Sequence, residues 1–182
     1  MKGVVFTELF DFVEESFDPV FLQESIEASK VPSKGVYTAT GTYPACEIGA
    51  LVTSFSDKSG LSIPDLMKAY GRHLFARFND MYPEFFEGVE DAFSFLVHVE
   101  DVIHGEVRKL HADAELPRFE FPVRTDTHLQ IIYRSSRHFG DLCEGLIQGC
   151  LDFYGEKGRI DRAVISEEPG SIIQFDIIRE AK

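Results

Sequence analysis

The chain has 182 residues, 44% hydrophobic and 27% charged, a balance that suits a globular, soluble fold with a sizeable core. Its formal net charge of -13 excludes the basic footprint that nucleic acid or an anionic membrane surface requires. With 17 Phe and no Trp, the aromatic content can either line a large apolar pocket or fill an ordinary core.

Val5, Leu9, Phe12, Val13 and Phe17 recur at helical spacing, so residues 3–17 form a first helix. Acids in this stretch stand where a secretory leader would keep an apolar run, and no segment approaches the roughly 20 apolar residues of a membrane span. Asp18-Pro19 opens a second helix with proline in its first turn. Residues 31–43 read as a loop with some extended character. A third helix is expected from Pro44 to Lys58, stopping at Ser59-Gly60, and a fourth from the cap signal Ser62-Ile-Pro-Asp65 to about Tyr82. A short helix after Pro83 precedes a long amphipathic one, from about Val89 to His111.

The pattern changes after Leu116-Pro117. Residues 118–124 alternate, and 127–137 are extended after a turn at Arg124-Thr-Asp-Thr127. A helix from about Gly140 to Tyr154 ends at Gly155 and Gly158, and strands 159–166 and 171–179 are joined by Glu-Glu-Pro-Gly. Helices first, then an antiparallel sheet interrupted by one helix, predict an α+β fold in a single domain over residues 1–182. Cys46, Cys143 and Cys150 are too few and too scattered for a disulfide framework, which points to a reducing, cytoplasmic setting. Cys143 and Cys150 share one helical face and are expected to pack there.

Two groups of residues can carry chemistry. His104 lies on the apolar side of the long helix beside Ile103 and Val107, with Glu100 and Asp101 one turn back. Such an imidazole can ligate iron while a nearby acceptor orients its other nitrogen, or it can be an ordinary satisfied histidine. His98 and His111 are six and seven residues away and cannot join it on one metal from a straight helix. Tyr133, Ser135 and Arg137 alternate along a strand and project from one face. A guanidinium flanked by two hydroxyls suits carboxylates, although the same pattern describes a solvated hairpin face.

Together, the Tyr-x-Ser-x-Arg strand and the preceding helical Asp101-Val-Ile-His104 resemble the bacterial haem-nitric oxide/oxygen binding (H-NOX) family, related to the haem domain of soluble guanylate cyclase. The likeness also takes in the Met-Lys-Gly start, Ala69-Tyr-Gly-Arg72, Leu116-Pro-Arg118 and Gly145-Leu-Ile-Gln-Gly149. It implies a mainly helical distal part against a proximal part with a four-stranded antiparallel sheet, and haem b between them. On that pattern His104 is the axial ligand, Tyr133, Ser135 and Arg137 hold the propionates, and Pro117 bends the macrocycle. Binding of NO opposite His104 would weaken the iron–histidine bond and release its helix.

Oxygen-binding members place a distal tyrosine nine residues past the motif tyrosine, where this chain has Leu142. The other pocket positions implied by the resemblance are Val5, Leu9, Leu74, Phe78 and Leu146. None donates a hydrogen bond, so NO and CO are expected to bind and O₂ is not. The Cys-x-Cys zinc site of some relatives is replaced by Gly140-Asp-Leu142, so no structural zinc is expected. The implied activity is a non-enzymatic NO sensor acting on a separate histidine kinase or diguanylate cyclase. Two alternatives stand beside it. One is a haem enzyme such as a peroxidase, which would want a distal acid–base group. The other is a haem-free module holding some other hydrophobic molecule. His73 adjoins Leu74, but neighbouring helix positions point about 100 degrees apart, so it should face away from the pocket.

Overall fold

The computed structural model describes residues 1–110 and 114–180. Four helices come first: α1 (Val4–Ser16), α2 (Pro19–Ser29), α3 (Cys46–Ser59) and α4 (Ile63–Met81). Each boundary has a local cause. The Asp18 carboxylate caps α2 by accepting the Phe21 N–H at 2.7 Å, and the Ser62 hydroxyl accepts the Asp65 N–H at the start of α4. Helix α3 ends on Gly60, whose φ of 77° is costly for a residue with a Cβ. It begins at Cys46 rather than Pro44. The preceding loop is a series of turns, and its extended character amounts to one bridge between Lys2 and Thr42.

The helix expected over 89–111 is not uniform. A short 3₁₀ turn at Pro83–Phe85 is followed by α5 (Ala92–His98), a π-helical turn at Val99–Ile103 and α6 (His104–Leu110). Asp91 caps α5, accepting the Ser94 N–H at 3.1 Å and the Ser94 hydroxyl at 2.7 Å. His111 lies outside the described residues. The wide turn sits immediately before His104, and π-turns of this kind cluster at functional sites.

Strands β1 (Arg118–Arg124), β2 (His128–Ser135), β3 (Gly158–Ser166) and β4 (Ser171–Arg179), with α7 (Gly140–Phe153) between β2 and β3, complete the α+β architecture. The sheet is antiparallel in the order β1-β2-β4-β3. Alternation along β2 and β4 buries Leu129, Ile131, Tyr133, Ile173, Phe175 and Ile177. On the opposite face Asp176 accepts from Gln130 at 2.9 Å and Gln174 at 2.6 Å and lies 2.8 Å from His128 Nε2.

The apolar side chains gather in two clusters. One joins α5, α7 and the sheet; the other joins α1 to α4 and includes Leu142 of α7. Leu146 packs against both. Cys143 and Cys150 are buried, as their shared helical face leads one to expect.

Helices α4 and α7 cross so closely that a side chain at the crossing has no room. A Cβ at Gly145 would lie 2.2 Å from the Lys68 carbonyl oxygen, and one at Gly71 would lie 2.5 Å from that of Leu142. A Cβ at Gly49, on α3, would meet nothing within 4 Å. Gly145→Ala should therefore destabilise the protein by about 1–3 kcal/mol, whereas Gly49→Ala should be neutral or stabilising by up to about 1 kcal/mol. Thermal melts of the two variants check this contrast, and equal melting temperatures would refute it.

Asp91 supplies a pH-dependent restraint on the segment leading to His104. Burial acts to raise its pKa, but hydrogen bonds from Ser94 and Arg179 outweigh that and hold the carboxyl below the usual aspartate range. The unfolded chain takes up this proton first. The stability Asp91 confers is thus complete above its unfolded value of about 4 and is lost as pH falls through the lower folded value. Asp91→Ala should cost about 1 kcal/mol near neutrality and progressively less in acid, as urea titrations at several pH values will show.

Candidate functional site

Three helices bring pairs of apolar residues, each spaced i,i+4, to one region: Val5 and Leu9 from α1, Leu74 and Phe78 from α4, Leu142 and Leu146 from α7. Leu9, Leu74 and Leu142 are buried, and Val5, Phe78 and Leu146 are partly so. The α4–α7 crossing at Gly71 and Gly145 sets the spacing of two of these three walls. Two polar side chains lie near: Tyr70 has a hydrogen-bond partner, while the Nε2 of His73 is buried without one among the described residues. Tyr70, fully buried, donates its hydroxyl to the Val5 carbonyl at 2.6 Å. His73 turns to α1, its ring 5.4 Å from that of Phe12 and its Nδ1 3.8 Å from Glu15.

On the sheet side, His104 is 9% exposed at the start of α6. Its ring stacks on Phe119 of β1 at 5.4 Å, and Phe119 packs on Tyr133 at 5.9 Å. The Nδ1 atom lies 2.9 Å from Glu100 Oε2. An ionised carboxylate only accepts, so this contact assigns the proton to Nδ1 and leaves the Nε2 lone pair for a metal or donor. Burial lowers the His104 pKa, and the Glu100 carboxylate opposes the shift without reversing it. The imidazole is therefore neutral at physiological pH, the form in which it ligates.

Tyr133, Ser135 and Arg137 cluster, but not all on the strand. Strand β2 ends at Ser135, so Arg137 lies two residues past it, in the bend leading to α7. The strand ends there because the chain turns: the Arg137 N–H goes to the Ser135 hydroxyl at 3.1 Å, and the Arg137 carbonyl accepts from Ser171. Its guanidinium donates to the Glu115 carbonyl at 2.9 Å and the Glu115 carboxylate at 2.8 Å. It thus ties down the segment carrying Pro117, which is half-buried and immediately precedes β1. Burial pushes the Tyr133 phenol up to about 12, with Ser135 and Arg137 pulling the other way, so it remains a hydrogen-bond donor at neutral pH.

Two features escape a reading of the sequence alone. Glu115 gives no pattern that announces it as the partner of Arg137. Glu8, 5% exposed, sits in the apolar stripe of α1, and its carboxylate accepts from Arg77 Nε of α4 at 2.7 Å. A charge inside a helical apolar stripe signals a needed partner, though not which one.

The described residues thus hold a buried imidazole stacked on β1, a guanidinium beside two hydroxyls at the end of β2, and an apolar wall from α1, α4 and α7. Residues 2–162 match the family model described as haem-NO-binding.

The chain belongs to the haem-NO-binding, or H-NOX, family.

Solved structures agree along the whole length. An Fe(II) unliganded H-NOX protein from K. algicida is 34% identical, with a TM-score of 0.92 over 100% of this chain and 98% of that chain. The H-NOX from Shewanella woodyi, solved in its Fe(II)CO state, is 32% identical, with a TM-score of 0.83 over 99% of this chain and 95% of that chain. An H-NOX protein from S. oneidensis in the Fe(II)NO state is 24% identical and shares the fold, with a TM-score of 0.89 over 100% of both chains. No curated protein matches. As an H-NOX member the protein is a haem-binding gas-sensor domain. No helix among the described residues is long and apolar enough to cross a membrane.

The donor set fits the group: one uncharged nitrogen base, a cation with hydroxyls for carboxylates, and apolar walls. His104→Gly should abolish retention of haem by the purified protein, and added imidazole should restore it. An unchanged absorption spectrum without imidazole would remove His104 from the ligand role.

Proposed function

We propose that residues 1–182 work as one NO-sensing unit that holds haem b through His104. The observation that carries this reading is the buried imidazole whose Nδ1 lies 2.9 Å from the Glu100 carboxylate, which leaves its Nε2 for a metal. Haem, when bound, would supply an iron that takes diatomic gases. The remaining work falls to the chain. His104 would hold the iron and Glu100 would fix its tautomer. Tyr133, Ser135 and Arg137 would bind the propionates through two hydroxyls and a guanidinium. Pro117, held by the Arg137–Glu115 pairing of its segment, would press on the macrocycle.

Selectivity follows from what the wall offers. Bound O₂ gains from a hydrogen-bond donor, whereas NO and CO need one far less. Val5, Leu9, Leu74, Phe78, Leu142 and Leu146 carry no donor, and the Tyr70 hydroxyl is spent on the Val5 carbonyl. NO and CO therefore bind and O₂ does not. The same argument favours a sensor over a peroxidase, because none of these six wall residues supplies an acid–base group. It works in the cytoplasm and passes its state to a separate signalling protein, for which a histidine kinase or a diguanylate cyclase is the class to test.

Absorption spectra of the ferrous protein test this directly. NO and CO should each shift the Soret band, and air should give no stable oxygenated spectrum. A persistent oxygenated form would overturn the selectivity, and the absence of any Soret band after haem addition would overturn the cofactor reading. Leu142→Tyr puts a hydroxyl into the wall, so this variant should bind O₂ measurably.

A further inference from the structure

The Glu100 carboxylate meets three partners from different parts of the fold. One oxygen, Oε2, lies 2.9 Å from His104 Nδ1 and also accepts the backbone N–H of Phe119 at 3.2 Å. The other, Oε1, accepts from Arg108 one turn beyond His104 at 3.4 Å. Phe119 belongs to β1, the strand at one edge of the sheet. Its ring also stacks on the His104 imidazole, at an interplanar angle of 27°. The imidazole is thus held on two sides by groups anchored at the same residue of β1.

We infer that Glu100 is a positioning residue that latches His104 to the edge strand β1, so that a displacement of His104 is passed to the sheet by loss of the Phe119 N–H bond. The inference rests on the reading of His104 as the haem ligand. The physical reason is the sharing of a single oxygen. Hydrogen bonds weaken steeply once donor and acceptor separate beyond about 3.5 Å. The carboxylate is carried on the π-helical turn that runs directly into α6. Movement of the His104 end of that helix by about 1 Å draws the oxygen off one donor or the other. The Phe119 N–H then loses its charged acceptor and faces the open side of β1. The carboxylate side chain is 20% exposed, so the bonds are largely shielded from competing water.

The test uses the haem-loaded ferrous protein and the variants Glu100→Ala and Glu100→Gln. Three signals are read: the Soret band, the iron–histidine stretch by resonance Raman, and exchange of the Phe119 amide by NMR, with the Ile132 amide of β2 as an internal control. In Glu100→Ala the Phe119 amide should exchange on the order of tenfold faster, as expected for loss of a charge-assisted bond. The Ile132 amide should be unchanged. The iron–histidine stretch should fall, and haem should be lost about 10- to 100-fold faster, the usual cost of removing an outer-sphere partner of a metal ligand. Glu100→Gln keeps the shape and one neutral acceptor, so it should show smaller changes in the same direction, and it carries the test if the alanine variant does not fold. In the wild type, NO should speed Phe119 exchange. A Soret band with Phe119 exchange and the iron–histidine stretch both unaltered in the variants overturns the latch and leaves the ligand reading intact. Equal acceleration of Phe119 and Ile132 also overturns it, since that marks general loosening. A wild-type protein without a Soret band overturns the ligand reading and the latch with it.

Discussion

The approach of α4 to α7 governs where nearly everything else can go. Two backbones come together at Gly71 and Gly145, and a single methyl at either would overlap a carbonyl of the facing helix. Such contact costs nothing in side-chain entropy and gains dense packing. Gly149, one turn further along α7, extends the close contact toward Arg72 and Phe75 of α4. Leu74 and Phe78 on one side and Leu142 and Leu146 on the other are therefore fixed relative to each other before any ligand arrives. The apolar wall is a product of this crossing. So is the seam between the two apolar clusters, since α7 contributes to both and Leu146 touches each.

Charged groups in the interior are placed where each has a partner that justifies its burial. Glu8 faces Arg77 across α1 and α4. Glu47 accepts from Tyr37 at 2.8 Å and from Ser33, which fastens the loop before α3 to that helix. The pairing raises the Tyr37 phenol pKa, with burial the larger cause and the Glu47 carboxylate the second. Glu156 lies 2.9 Å from Arg179, whose guanidinium stands over the ring of Phe93. Each removes the cost that an unpaired buried charge would carry.

Much of this was legible before any coordinates. The helix starts at Asp18 and Ser62 and the stop at Gly60 are written in capping chemistry, which acts within a few residues. The strands follow from alternation, and the triplet on and beyond β2 from its spacing. What the sequence does not carry is equally specific. The π-helical turn before His104 shifts the helix by about one residue. That slip leaves the apolar face apolar, so no break in the pattern marks it. Arg137 continues the strand's alternation in the sequence but departs from the strand in space, because Ser135 and Ser171 bond the backbone into a bend. The pairings Glu8–Arg77 and Arg137–Glu115 span 69 and 22 residues, and local patterns say nothing about partners so far apart.

On the proposed reading, the Arg137 head group also bears on how a carboxylate-bearing guest would enter. Two of its N–H groups hold Glu115, but a guanidinium has more donors than those bonds consume, fanned out in one plane. An incoming carboxylate can engage the unused edge while the strap to Glu115 stays fastened. On the proposed reading, the loop bearing Pro117 would stay fastened to Arg137 as a guest arrives or departs.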